Sequence, residues 1–432
     1  MKMRYHAMPR DLFDALAAGG GGPEAVRELT AAEHSKHGLL LRGVIDAAQA
    51  AGADQARFAR HGRDVLGAVE RRYPHIAART LSYPSVGAWA VRTLRGGTGM
   101  PGAHPARLAA VAAAAAVRSG VDAEVRVRPD AGVVGLPSLG AARVDAGPGH
   151  GAQLCRARRD PLGTRPHRHS LRSAAGRARL AGVHRVRAGT LDIGIDDLDP
   201  FRMPAVPGLA PRLGADEAGE WTRAIRHGWQ LLAADHPAVA AEVAAAISVV
   251  VPLSPSAHCQ LSSSSPETFG AIAMSQPADP QTCAVTLSHE VQHLKMCALL
   301  DIVRLTLPDD GRRCYAPWRA DPRPVAGLLQ GAYAYLGVTG FWRTQRRVTD
   351  GPGQLRADGE FARWRTGTAR VIDTLLSSRR LTATGLDFVQ RMSKTVTTWQ
   401  SEPVSAQARA IAHREFRRHL TRWELANGPI PP

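Results

Sequence analysis

Lysine is almost missing from this chain. Only Lys2, Lys36, Lys295 and Lys394 carry an amino side chain, so the formal net charge of +17 rests almost wholly on arginine. Two accounts fit that excess: a coding bias that replaces lysine with arginine and alanine, or an acidic partner, since net charge speaks to association rather than to fold. Long apolar runs are missing too. None approaches the roughly 20 residues needed to span a bilayer, and the most apolar stretch, Leu108 to Val117, is short and reads as a buried helix. The opening Met1-Lys2-Met3-Arg4-Tyr5-His6 has no apolar segment of the secretory type. Cysteine is scarce and scattered: Cys155, Cys259, Cys283, Cys297 and Cys314 are odd in number and show no C-x-x-C spacing. That pattern argues against a disulfide framework or a structural zinc site and fits a reducing, cytoplasmic location.

What is present is enough for a large core, and 432 residues suggest about two or three domains. Residues 8 to 72 and 84 to 120 read as helices. Ala123 to Arg128 alternates as a strand, with Gly132 to Pro137 as its expected hairpin partner. Residues 1–145 are thus expected to be an N-terminal, mainly helical region with a hairpin. A loop or linker follows over 146–190, crowded with Arg156, Arg158, Arg159, Arg165, Arg168, Arg172, Arg177 and Arg179. It is either a solvated loop or a docking surface for an acidic peptide. Nucleic acid is disfavoured, because no aromatic residues are interleaved for base stacking.

Residues 191–432 are expected to form one catalytic domain. Leu191 to Ile195 reads as a strand that runs into the acidic turn Asp196-Asp197-Leu198-Asp199-Pro200. Those carboxylates either hold a cation or cap the next element. Helices are expected around Glu220–Ala234, where Trp221 and Trp229 would be core, and over Pro237–Ile247. Ile247–Leu253 and Phe269–Ser275 read as strands. A helix from about Gln281 to Leu305 carries His289-Glu290-Val291-Gln292-His293. A Pro/Arg-rich loop over Pro308–Pro324, a helix over Val325–Arg347 and two or three more helices over 358–427 complete the chain. The expected class is α+β, mainly helical, with a zincin-like HExxH helix packed beside a small sheet.

Two histidines four residues apart lie about 40° apart on a helix, so both imidazoles can reach one metal ion. Glu290 borders the same site and is the general base when this motif serves a metallopeptidase. The plainer alternative is a buried helix with two structural histidines. A third ligand is not obvious. Cys297 stands four residues past His293, and no further histidine occurs before His413, so the metzincin continuation is absent. Asp301, Glu360, Gln330 and Tyr333 are the remaining candidates. In the loop Tyr315-Ala316-Pro317-Trp318-Arg319-Ala320-Asp321-Pro322-Arg323-Pro324, the arginines are held between prolines and an aromatic, an arrangement suited to bidentate carboxylate binding. Surface Arg–Asp pairing is the ordinary alternative.

These residues resemble a known family. His289 to Leu300, Tyr315-Ala316-Pro317-Trp318-Arg319, Gly327-Leu328-Leu329-Gln330-Gly331 with Tyr333, and Gly340-Phe341-Trp342-Arg343 are similar to segments of the actinobacterial HExxH-motif peptide-modification proteins. Val86-Gly87-Ala88-Trp89-Ala90, Leu136-Pro137-Ser138-Leu139-Gly140, Asp197-Leu198-Asp199-Pro200 and Phe269-Gly270-Ala271 extend the likeness over most of the chain. The resemblance implies an iron(II)- and 2-oxoglutarate-dependent peptide β-hydroxylase on a zincin-like helix pair. It further implies metal ligation by His289 and His293, a positioning role for Glu290, and Arg319 or Arg323 as the holder of the 2-oxoglutarate carboxylate. Its partners would be a ribosomally made precursor peptide and other maturation enzymes of the pathway; the basic charge of the chain suits a peptide with an acidic leader. The chain departs from several members at Tyr335, where they carry His. The competing expectations are a zinc metallopeptidase of the same peptide and a non-catalytic peptide-binding scaffold.

Overall fold

A computed structural model describes residues 6–96, 100–143, 180–204, 206–256 and 260–429, and the backbone of 153–157, 170–173 and 176–178. The helices among the described residues are α1 (Arg10–Ala17), α2 (Gly22–Ala50), α3 (Ala53–Arg72), α4 (Pro74–Leu81), α5 (Pro84–Leu94), α6 (Leu108–Ser119), α7 (Ala215–Asp235), α8 (Pro237–Ala246), α9 (Pro280–Ile302), α10 (Val325–Val348), α11 (Pro352–Ser377), α12 (Ala383–Gln400) and α13 (Ala406–Asn427). The strands are β1 (Ala123–Val127), β2 (Val133–Leu136), β3 (Gly140–Arg143), β4 (Gln153–Ala157), β5 (Ser170–Ser173), β6 (Gly176–Ala178), β7 (Leu180–Gly182), β8 (His184–Ala188), β9 (Leu191–Ile195), β10 (Val249–Pro252), β11 (Ser262–Ser264) and β12 (Ala271–Met274). The chain is mainly helical with small mixed sheets, the broad class its periodicity predicts. No helix among the described residues is long and apolar enough to cross a membrane.

The chain forms two compact units that interleave in sequence. One is drawn from Ala31–Arg223 and Ile247–Gln276, the other from Tyr5–Thr30, Ala224–Ala246 and Pro277–Pro432. Residues 191–432 therefore contribute to both.

In the first unit α6 is the centre of the helical layer. Leu108 to Val117 are buried without interruption, as an all-apolar helix must be. Helix α3 approaches it closely because position 62 is glycine: a Cβ there would stand 2.8 Å from the Leu108 carbonyl carbon. The five-stranded sheet has the order β11-β12-β10-β9-β8. Strands β9, β10 and β12 are parallel neighbours, and β8 and β11 close the edges antiparallel. Every residue of β10 and β12 is buried, which is why both read as continuous apolar runs rather than alternating ones.

Two expectations change here, and one open alternative is decided. Strand β1 does not pair with β2. Asp130 and Val133 do close a tight link around Ala131 and Gly132, both with positive φ. Pro129 has no N–H to extend that ladder, and β1 pairs with β4 while β2 forms its hairpin with β3. The described pieces of the arginine-rich stretch are short strands shared among three sheets rather than loop. Arg158, Arg159, Arg165, Arg168 and Arg179 lie outside the described residues. The acidic turn is a buried polar network. Asp196 accepts from Tyr83 Oη at 2.7 Å and from the Asp199 amide, Asp197 pairs with Arg212 and the Leu213 amide, and Asp199 takes Arg107, Ser85 and the Phe201 amide. Its oxygens are occupied by protein donors, so it serves as a cap rather than a cation site.

The second unit is a helical assembly around α9, α10 and α11. Helix α9 starts at a cap: Asp279 Oδ1 accepts from the Thr282 amide at 2.6 Å, and Pro280 occupies the first turn. Its buried residues lie all round its circumference, so packing, not amphipathicity, orients it. The turn before α2 is clamped to it. Gln292 Nε2 donates to the Gly19 carbonyl at 2.9 Å and Lys295 Nζ to the Gly20 carbonyl at 2.8 Å. Lys295 also pairs with Glu242 of α8 at 2.6 Å, and Glu242 accepts from the Gly22 amide. Gly19, Gly21 and Gly22 all have positive φ, conformations that suit glycine.

Candidate metal centre

Helical spacing places His289 and His293 on one face of α9, and their Nε2 atoms stand 3.1 Å apart. Each side chain is partly buried, with 21% of His289 exposed. Burial lowers both imidazoles: His289 falls well below its ordinary value, helped by the neighbouring His293, and His293 falls to about 4. Both rings are therefore neutral at physiological pH, and each offers a lone pair or one ring proton. Glu290 is buried, with Oε1 3.9 Å from His289 Nε2.

The 3.1 Å separation can be tested against a shared ion. With metal–imidazole bonds of about 2.1 Å, both Nε2 atoms could reach one metal ion. A hydrogen bond between two oppositely protonated rings has the same length, so the distance permits both arrangements. Two protein ligands fit. Among the described residues, no group of three His, Cys, Asp or Glu side chains gathers as a metal set.

An aromatic wall stands beside the pair. Tyr335 of α10 meets His289 edge to face at 5.3 Å, stacks on Trp318 at 4.5 Å and leans on Trp364 of α11 at 4.4 Å. The loop holding Trp318 lies tight against α10 because position 331 is glycine, where a Cβ would come within 2.6 Å of the indole nitrogen. Pro317 rests on Gly367 in the same way. Trp364 Nε1 donates to Glu360 Oε2 at 2.7 Å, and Arg363 lies over the Trp364 ring at 4.3 Å, 3.8 Å from Glu360. Burial raises the Tyr335 hydroxyl above the ordinary tyrosine value, Arg363 opposes that, and Glu360 and Glu290 add to it. The phenol stays protonated.

The sequence candidates separate on this geometry. His289, Glu290 and His293 are together. Glu360 is near the site but committed to Trp364 and Arg363. Tyr333 points elsewhere: its ring meets Phe388 at 5.6 Å and Lys295 at 5.9 Å, a consequence of helical geometry that sends residues two apart to different faces. Gln330 is half-buried on α10, and Asp301 is exposed near the end of α9. Arg319 and Arg323 share one carboxylate, with Asp321 accepting from them at 2.9 and 3.0 Å, so the loop pairs its arginines internally. Trp364 and Arg363 were missed from sequence. The one signal was local, a Glu360-x-x-Arg363-Trp364 spacing that puts acid, base and indole on neighbouring helical positions.

No protein-family model matches the chain, and no curated protein matches it.

Proposed function

We propose that the chain is an iron(II)- and 2-oxoglutarate-dependent hydroxylase acting on a side-chain Cβ of a ribosomally made precursor peptide in natural-product biosynthesis. The observation that carries the metal assignment is the 3.1 Å between the two neutral Nε2 atoms. The co-substrate and the peptide rest on the resemblance of the motif helix, the Trp318 loop and α10 to the HExxH peptide-modification proteins. In this reading α9 and α10 are the zincin-like helix pair. His289 and His293 would hold the iron ion, which would supply the oxidising chemistry.

The chain's own residues have defined parts. His289 and His293 bind the metal through Nε2. Glu290, buried beside His289, orients groups at the metal. Trp318, Tyr335 and Trp364 wall off water from one side, and the protonated Tyr335 phenol is a hydrogen-bond donor. Arg319 or Arg323 serves the 2-oxoglutarate carboxylate by exchanging it for Asp321. A zinc peptidase is the second reading, favoured by the buried carboxylate of Glu290, 3.9 Å from a metal-ligand nitrogen, where a base for hydrolysis would stand.

The test is metal titration followed by turnover. One Fe(II) per chain, lost in His289→Ala and His293→Ala, with succinate release and one oxygen atom gained by a peptide substrate, is the expected result. Tight zinc and peptide hydrolysis without 2-oxoglutarate, abolished in Glu290→Gln, would replace the hydroxylase by the peptidase. A protein that binds neither ion refutes both and leaves the histidines as a structural pair.

A further inference from the structure

We propose that the rim of this site is a docking surface for an acidic peptide segment, held by Arg363, Arg370 and Arg422. The proposal deepens the functional reading above by naming the chemistry of the substrate flank, and it rests on that reading for the site's purpose.

The surface follows from a run of contacts. Trp318 stacks on Tyr335, and three residues earlier in the same loop Tyr315 meets α13: its hydroxyl is 2.9 Å from His419 Nδ1, and its ring lies 6.3 Å from Phe416 and 5.2 Å from Trp423. Asn427 at the end of α13 donates to the Ala320 carbonyl at 2.8 Å, so helix and loop are tied. Arginines border this run. Arg363 lies over Trp364 at 4.3 Å and Arg370, two turns further along α11, over Phe416 at 5.4 Å. Arg422 follows His419 by three residues on α13 and is exposed. Their charges converge on the same groups. Burial raises Tyr315 to about 12, opposed by Arg370 and Arg363 and helped by Glu424, and His419, lowered first by burial, is lowered further by Arg363 and Arg422.

The cations outnumber their partners. Among the described residues Arg370 and Arg422 have no carboxylate within ion-pair distance, and Arg363 has only Glu360 at 3.8 Å, itself taken by Trp364. A guanidinium stacked on an aromatic ring keeps its N–H edge free for bidentate carboxylate binding. The same stacking argues against nucleic acid, which needs free aromatic faces for its bases. Here Arg363 and Arg370 lie over Trp364 and Phe416, and Tyr335 stacks on Trp318. Side-chain carboxylates of an extended peptide fit, with the flank on the arginines and the reacting residue toward His289.

The experiment uses the full chain and a fluorescein-labelled peptide of alternating Glu and Gly, read by anisotropy. The expected result is binding that weakens about tenfold in Arg370→Glu/Arg422→Glu, since two modest surface attractions become repulsions, and weakens again as salt screens it. Arg42→Glu, in the other unit, leaves the affinity unchanged. An unaltered affinity in the double reversal overturns the proposal. So does equal binding of a Lys-Gly peptide, or tighter binding of a single-stranded oligonucleotide. His289→Ala separates the two readings: it empties the metal site and leaves the acidic peptide bound. Docking lost with metal binding kept defeats only this surface, and the converse defeats only the hydroxylase.

Discussion

Replacing Lys295 by Met tests the clamp that seats the motif helix. The Lys295 ammonium is 1% exposed and donates to Glu242, 2.6 Å away, and to the Gly20 carbonyl at 2.8 Å. Glu242, at 4% side-chain exposure, has one further donor, the Gly22 amide at 2.8 Å. Burial pulls the Lys295 pKa down while Glu242 pulls it back up. Methionine fills the volume but strands a carboxylate, and breaking a buried pair from one side costs about 3–5 kcal/mol. Urea unfolding followed by tryptophan fluorescence should show that deficit. Lys295→Met/Glu242→Gln removes both charges and keeps an acceptor for Gly22, and it should recover all but about 1–2 kcal/mol. A single variant that loses less than about 1 kcal/mol, or a double variant no better than the single, refutes the reasoning.

Three other substitutions probe the same physics elsewhere. His37 is lowered to about 4 by burial, partly offset by its hydrogen bond to the Leu81 carbonyl, with Lys36 and His34 lowering it further. The unfolded state thus takes up a proton first as pH falls through about 6.5, and His37 should cost about 2 kcal/mol of stability between pH 7 and pH 5. The stability lost between pH 7 and pH 5, measured by urea unfolding at each pH, should be larger in wild type than in His37→Gln, and equal losses would contradict the assignment. Gly385→Ala should cost more than about 3 kcal/mol, because its Cβ would sit 1.8 Å from the Leu305 carbonyl oxygen, which already accepts from the Thr382 amide; a Tm within a degree or two of wild type would show that the strand-like contact can yield. Asp279→Ala should lower stability by about 1 kcal/mol through loss of the α9 cap, and Asp279→Asn should restore most of it.

Much of the local structure was legible because it follows from local rules. The breaks before α2 and after α6 sit at glycines with positive φ, including Gly120 as the left-handed cap of α6. The helices after residue 350, expected as two or three, and the strands β10 and β12, expected from apolar runs, are of this kind. The β1 partner was not legible: a tight turn at Ala131-Gly132 predicts a hairpin, yet Pro129 ends the ladder and the true partner lies 26 or more residues downstream. The acidic turn was equally ambiguous, since a carboxylate cluster reads alike whether its donors are a cation or Tyr83, Arg107 and Arg212.

By itself the sequence determined that His289 and His293 share one face, because four residues on an α-helix return nearly to the same direction whatever surrounds it. It also set Glu290 one step away. Only the tertiary structure decided what faces that pair. Tyr335, Trp318 and Trp364 meet beside His289, and Tyr333, equally eligible by composition, is sent to Lys295 and Phe388. No periodicity links residues on separate elements. Their meeting depends on close approaches at Gly331 and Gly367, and on the helix orientations those approaches permit.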